Sequence, residues 1–173
     1  VKRLILLSLA LALIGFNAFG EGTPKSGEFG IQTDVTLTGT NFGAFGSFGA
    51  KFWATDALAL RAGVGFASRT GGNQAGTGYD LGAGAEYHFT AIGGVSPYVG
   101  AQASYSGGMP SGGGAAQSDF SVNAVLGAEY FFSSNFSWAG EFRFGYDTFN
   151  DGTTTFTFLG TDWGAMIFTW YIN

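Results

Sequence analysis

Few side chains in this sequence can do chemistry. Among 173 residues there are 7 Lys and Arg, 12 Asp and Glu, 1 His and no Cys. Thiolate metal sites, cysteine nucleophiles and disulfides are therefore excluded. The sharpest grouping of charges is Lys51, Arg61, Glu86, Glu129, Glu141 and Arg143. Each sits in a segment of alternating apolar and polar residues and falls in the polar phase. Lys51 lies between Ala50 and Phe52, Glu86 between Ala85 and Tyr87, and Arg143 between Phe142 and Phe144. Alternate residues of an extended chain share a face, so all six belong to the face opposite the apolar row. The cations and anions balance. Two kinds of chemistry are open to such a set: an interior salt-bridge plug, or a gated path for protons or small ions.

The remaining candidates are weak. His88 shares the parity of the charged row and lacks a second soft ligand, so no metal site is expected. No nucleophile, base and orienting group can be assembled around it, so no catalytic residue is expected either. Asp151-Gly152 reads as a turn, not a calcium loop. Asn135-Phe136-Ser137 fits a glycosylation pattern but falls at a tight turn, and the Gly-rich segments follow no phosphate-binding pattern. No cofactor is implied.

The elements that must position the charges are strands. In Phe120–Phe132 the apolar row is Phe120, Val122, Ala124, Leu126, Ala128, Tyr130 and Phe132. Ser133–Asn135 breaks it, and Trp138, Gly140, Phe142, Phe144 and Tyr146 resume it. That is a hairpin whose arms, at about ten residues each, suit a tilted strand crossing a bilayer. Tyr130, Phe132 and Trp138 crowd the turn end of the apolar face, as an aromatic girdle would.

The same pattern recurs over about Glu28–Leu37, Ala44–Trp53, Leu58–Ser68, Tyr79–Phe89 and Ser96–Ser106. A last strand ends the chain with Met166, Phe168, Trp170 and Ile172 on one face. Its start is open: Asp162 shares the parity of that row, which a bulge near Gly160–Gly164 or a loop reaching about Asp162 would explain. The fold class is all-β, an eight-stranded antiparallel up-and-down transmembrane barrel. Ala54–Ala57, Thr90–Val95 and Ser133–Asn135 are the short connections. Thr38–Gly43, Arg69–Gly78, Gly107–Asp119 and the region from Asn150 are longer or richer in Gly and Thr. Outer-membrane barrels have short periplasmic turns and longer outside loops, which places both termini in the periplasm.

Composition agrees. Charged residues make up 11% of the chain, where a soluble domain carries about 25%. Outside the first 20 positions no apolar run of the length a membrane helix needs occurs, whereas a strand needs only every second residue to be apolar. The net charge of −5 argues against a nucleic-acid partner. Val1–Gly20 has a basic start at Lys2 and Arg3, an apolar middle over Leu4–Phe16 and small residues at Ala18 and Gly20, the order of a cleaved secretory signal. Glu21–Gly27 is a short lead-in, and Glu28–Asn173 is the barrel domain.

In strand number, alternation, girdle aromatics and the last strand, Glu28–Asn173 resembles the small eight-stranded outer-membrane barrels, such as OmpX and the transmembrane domain of OmpA. The resemblance implies an interior charge network like that of OmpA. It also implies a C-terminal strand read by the barrel-assembly machinery, for which Phe168, Trp170 and Ile172 match the alternation and Asn173 departs from the usual final Phe. It includes no counterpart of the peptidoglycan-binding domain of full-length OmpA. A soluble barrel with the apolar row inside is the competing arrangement, but its outer row would need abundant Lys and Glu, and here that row is mostly Gly, Ser and Thr. The expected partners are outer-membrane lipid and lipopolysaccharide, with a surface ligand at the loops as a further option, and a monomer is expected. Two functions stay open: a structural or surface-interaction (adhesion or envelope-stability) protein, and a narrow channel for small solutes or ions.

Overall fold

A computed structural model describes residues 24–36, 47–69, 76–110 and 114–172. The expected leader Val1–Gly20, the start of the lead-in, the expected loop Thr38–Gly43 and the final Asn173 lie outside the described residues. Eight strands form one closed antiparallel barrel: β1 (Phe29–Thr36), β2 (Ser47–Trp53), β3 (Leu58–Arg69), β4 (Gly76–His88), β5 (Val95–Pro110), β6 (Gln117–Ser133), β7 (Phe136–Asn150) and β8 (Thr155–Ile172). Each strand pairs with its sequence neighbours, and β1 closes on β8 from Phe29↔Ile172 to Thr36↔Ala165. Closure leaves the sheet no edge at this seam.

The short connections are built by local chemistry. At the β2–β3 turn the Ala54 amide donates to the Leu58 carbonyl at 2.8 Å, and Thr55 Oγ1 accepts from the Leu58 amide at 2.9 Å. Before β5, Ile92 and Val95 exchange backbone hydrogen bonds of 2.9 and 3.2 Å around Gly93 and Gly94. Those glycines have φ of 60° and 79°. A two-residue turn with both central residues left-handed is one that glycine forms without steric cost.

The strands run further toward the long-connection end than the sequence suggests. Gly76–Gly78 belong to β4, Gly107–Pro110 to β5 and Gln117–Asp119 to β6, so the expected loops Arg69–Gly78 and Gly107–Asp119 are shorter than their composition implies. Glycine weakens a strand in isolation, but here the ladder continues through Gly78↔Gly108, and the Tyr79 ring covers Gly107. A Cβ on Gly107 would lie 2.7 Å from Tyr79 Cζ. In β8 the bulge alternative holds. Glu141 opposes Ala165 while Arg143 opposes Asp162, so two β8 residues face one on β7 and the alternation changes phase between them.

Burial decides which way the rows point. Phe48, Phe66, Phe142 and Trp170 of the apolar row are 69%, 82%, 72% and 61% exposed, whereas Lys51, Glu86 and Glu129 are almost completely buried. The apolar row faces out and the charged row faces in, the reverse of a soluble barrel. At the short-turn end the outward aromatics run around the wall: Tyr130 touches Phe132, Phe132 lies 5.6 Å from Phe136, and Phe136 lies 6.1 Å from Trp170 between ring centres.

Candidate functional site: a charged plug and an open chamber in the lumen

Strand pairing sets the depth of each inward charge. Lys51 on β2 and Arg61 on β3 are direct cross-strand partners, and Arg61 faces Gly84 on β4. Glu86 and His88 follow on β4, toward the turn end. Glu129 on β6 opposes Ala139, while Glu141 on β7 opposes Gly127. The two glutamates, which counting from the turn puts about level, are therefore one inward step apart. The irregularity between Phe131 and Ser133 shifts the register.

The structure brings all six sequence-selected residues into one continuous chain of ion pairs. Lys51 Nζ lies 2.6 Å from Glu129 Oε2 and 2.7 Å from Glu86 Oε2. Arg61 Nη1 lies 2.7 Å from Glu86 Oε1 and 2.5 Å from Glu141 Oε1. Arg143 closes the series with Nη2 3.0 Å and Nε 3.2 Å from Glu141 Oε2. Glu86 and Glu141 are each bracketed by two cations and Glu129 ends the series on Lys51, the pairing that buried charges require. Glu86 Oε1 has the charge of Arg61 beside it but no hydrogen bond, and further hydrogen bonds tie the other members of the cluster to their neighbours. Tyr98 donates to Glu141 Oε1 at 2.7 Å, Tyr171 donates to Glu129 Oε1 at 2.9 Å, Ser137 donates to the same oxygen, and Arg61 Nη2 donates to Gln102 at 3.2 Å.

His88 enters the same cluster from β4. Its Nδ1 lies 3.1 Å from Ser96 Oγ, and Ser96 Oγ donates to the Phe89 carbonyl at 3.0 Å. The single hydroxyl proton is used there, so Ser96 accepts from His88 Nδ1–H. In the neutral ring Nε2 is then a lone-pair acceptor, 3.3 Å from Lys51 Nζ and 3.0 Å from Glu86 Oε2. A protonated Nε2 would set two positive groups against each other. The Ser96–His88 contact therefore has the wrong polarity for a serine nucleophile with a histidine base, because the hydroxyl proton points away from the ring.

An aromatic layer seals the turn side. His88 stacks on Tyr98 at 4.7 Å and lies 4.5 Å from the Trp53 ring, and Lys51 Nζ sits 5.0 Å from Trp53 and 5.7 Å from Tyr98. Trp53, Phe131 and Tyr171 are fully buried beside it. Cation–π attraction adds to the ion pairs. The sequence reading selected none of Tyr98, Tyr171, Ser137, Gln102, Trp53 or Phe131 for this site. A signal was present: each stands in the polar phase of its strand, and a bulky aromatic in that phase points into the lumen.

Toward the other end the lumen opens. A chamber of about 550 Å³ lies above the plug, with Arg61 and Arg143 at its base and Gly49, Gly63, Gly82 and Asp80 among its walls. In its wall Ser104 on β5 and its cross-strand partner Ser121 on β6 hydrogen-bond at 2.7 Å.

No protein-family model matches the chain, and no curated protein sequence matches it. Among solved structures it is similar to the N-terminal β-barrel domain of Pseudomonas aeruginosa OprF, with a TM-score of 0.56 and 18% identity over 86% of this chain and 100% of that chain. At that identity the likeness is one of fold: the small eight-stranded barrel to which the strand pattern points.

Proposed function

We propose that this chain is a non-enzymatic outer-membrane barrel with a structural or surface-interaction role, whose lumen is plugged rather than conducting. The observation that carries this reading is the unbroken series Glu129–Lys51–Glu86–Arg61–Glu141–Arg143, buried across the lumen and backed by the aromatic layer. An eight-stranded barrel has an interior about wide enough for side chains to fill, and at the depth of the plug these side chains fill it. The outward apolar row supports a bilayer as its surroundings, since a water-facing monomer rarely exposes so continuous an apolar surface. On this reading the chain is a monomer embedded among outer-membrane lipid and lipopolysaccharide, and the β8 residues Phe168, Trp170 and Ile172 serve as the assembly signal. The β3–β4, β5–β6 and β7–β8 connections face the exterior, where a surface ligand would meet them.

A narrow-channel reading draws on the open chamber, which reaches to Arg61 from one side. Planar-bilayer recording of the refolded protein separates the two. The expected result is no steady conductance on a porin's scale, and steady openings of that size would overturn the plugged reading. Deleting 111–116 should leave folding intact and, if a surface ligand exists, abolish its binding.

A further inference from the structure

Three lone-pair atoms converge on one point in the plug. Glu86, His88 and Glu129 each offer one ligand atom, and the three lie within 4.8 Å of one another. His88 Nε2 is 3.0 Å from Glu86 Oε2 and 3.8 Å from Glu129 Oε2. The edge of a tetrahedron with zinc–ligand bonds of ordinary length is about 3.3 Å, which those two separations bracket. The point they surround is occupied: Lys51 Nζ stands 2.7, 3.3 and 2.6 Å from the three atoms.

The surroundings also match what a metal site needs. A metal-binding histidine donates its other ring N–H to a fixed acceptor, and ligating carboxylates are held through their second oxygen. Here His88 Nδ1–H is fixed by Ser96 and Glu129 Oε1 by hydrogen bonds from Tyr171 at 2.9 Å and from Ser137, while Glu86 Oε1 has the charge of Arg61 at 2.7 Å and no hydrogen bond. All three ligand residues are buried. A neutral imidazole with two carboxylates suits a borderline divalent ion such as zinc.

We infer that Glu86, His88 and Glu129 form a divalent-cation site in which the ammonium of Lys51 is the resident cation, tethered to β2. The native barrel then takes up no zinc, and its fold is independent of chelators. Removing the lysine side chain vacates the centre, and zinc binds there with water filling the remaining position. Lys51→Met keeps much of the side-chain volume without the charge, so it leaves no room for the ion.

The test is refolding of the full chain, Lys51→Ala, Lys51→Met and Lys51→Ala/His88→Ala in detergent, each with zinc and with chelator. Bound metal is measured after desalting, and the folded fraction and unfolding midpoint are followed. Lys51→Ala should retain about one zinc per chain and refold to a higher yield or midpoint with zinc. The native chain and Lys51→Met should respond to neither zinc nor chelator, and the double variant should lose the response. Failure of Lys51→Ala to fold or to hold zinc in either condition overturns the inference, as does equal zinc uptake by all four proteins.

Discussion

The two halves of the lumen use the same strand alternation for opposite ends. On the turn side the inward positions are long charged side chains and aromatics, and the space is full. On the loop side they are largely Gly and Ser with a few carboxylates, and a chamber remains. A Cβ on Gly127, in the plug, would lie 2.3 Å from Tyr98 Cζ, whereas a Cβ on Gly63, in the chamber, would find its nearest atom at 3.6 Å. The difference shows that glycine in one row serves two purposes. At Gly127 in the plug it yields its volume to a neighbour's ring; at Gly63 and Gly82 in the chamber it leaves the volume vacant. Side-chain identity at a given parity, not strand geometry, decides whether this barrel is solid or hollow at a given depth.

That contrast can be broken most forcefully at Arg61, the link between Glu86 and Glu141. Arg61→Ala should cost about 3–5 kcal/mol, because it leaves buried carboxylates under-paired, with chamber water moderating the loss. Lys25→Ala, at an exposed position, should have almost no effect. Equal urea midpoints for the two would dissolve the idea of a single network.

A smaller effect is expected where a neutral donor serves a buried carboxylate. Tyr98→Phe removes the hydrogen bond to Glu141 while keeping the ring over Gly127. Its cost should be about 1.5–3 kcal/mol, the usual range for a hydrogen bond to a charged group. An unchanged unfolding midpoint would mean that Glu141 is satisfied by its two arginines alone.

The glycine comparison supplies the next test. Gly127→Ala should destabilise by about 1–3 kcal/mol through overpacking against Tyr98, and Gly63→Ala should stay within about 0.5 kcal/mol of the native chain. Similar losses at both positions would show that the chamber is as tightly constrained as the plug.

Among the variants that break a contact, the smallest loss is expected in the chamber wall, where Ser104→Ala removes the hydroxyl pair with Ser121. A loss of about 0.5–1.5 kcal/mol at most is anticipated. A loss approaching that of Arg61→Ala would make the chamber wall, and not the plug, the stabilising region.

Much of this architecture is carried by local sequence. The period of two over Phe120–Phe132 or Tyr79–Phe89 depends only on extended geometry, so strand number and the parity of all six charges can be read without a fold. Ladder length could not be read this way at Gly76–Gly78 or Gly107–Pro110, because a glycine's place in a strand depends on what covers it, and that was the Tyr79 ring. The bulge opposite Phe142 was one of two open solutions, since the phase of β8 is defined only against β7.

What the sequence determined by itself is therefore periodic: eight alternating segments, two faces, and a balanced set of charges on one of them. What tertiary structure alone decided is relational. It turned the apolar row outward and ran the Lys51–Glu129 bridge between strands that are not neighbours in the wall. It also aimed Tyr98 and Tyr171 at the carboxylates. The physical reason is that alternation is a property of one strand, fixed by its own backbone. A contact across a lumen depends on the stagger of every ladder around the closed sheet, and no single segment encodes that sum.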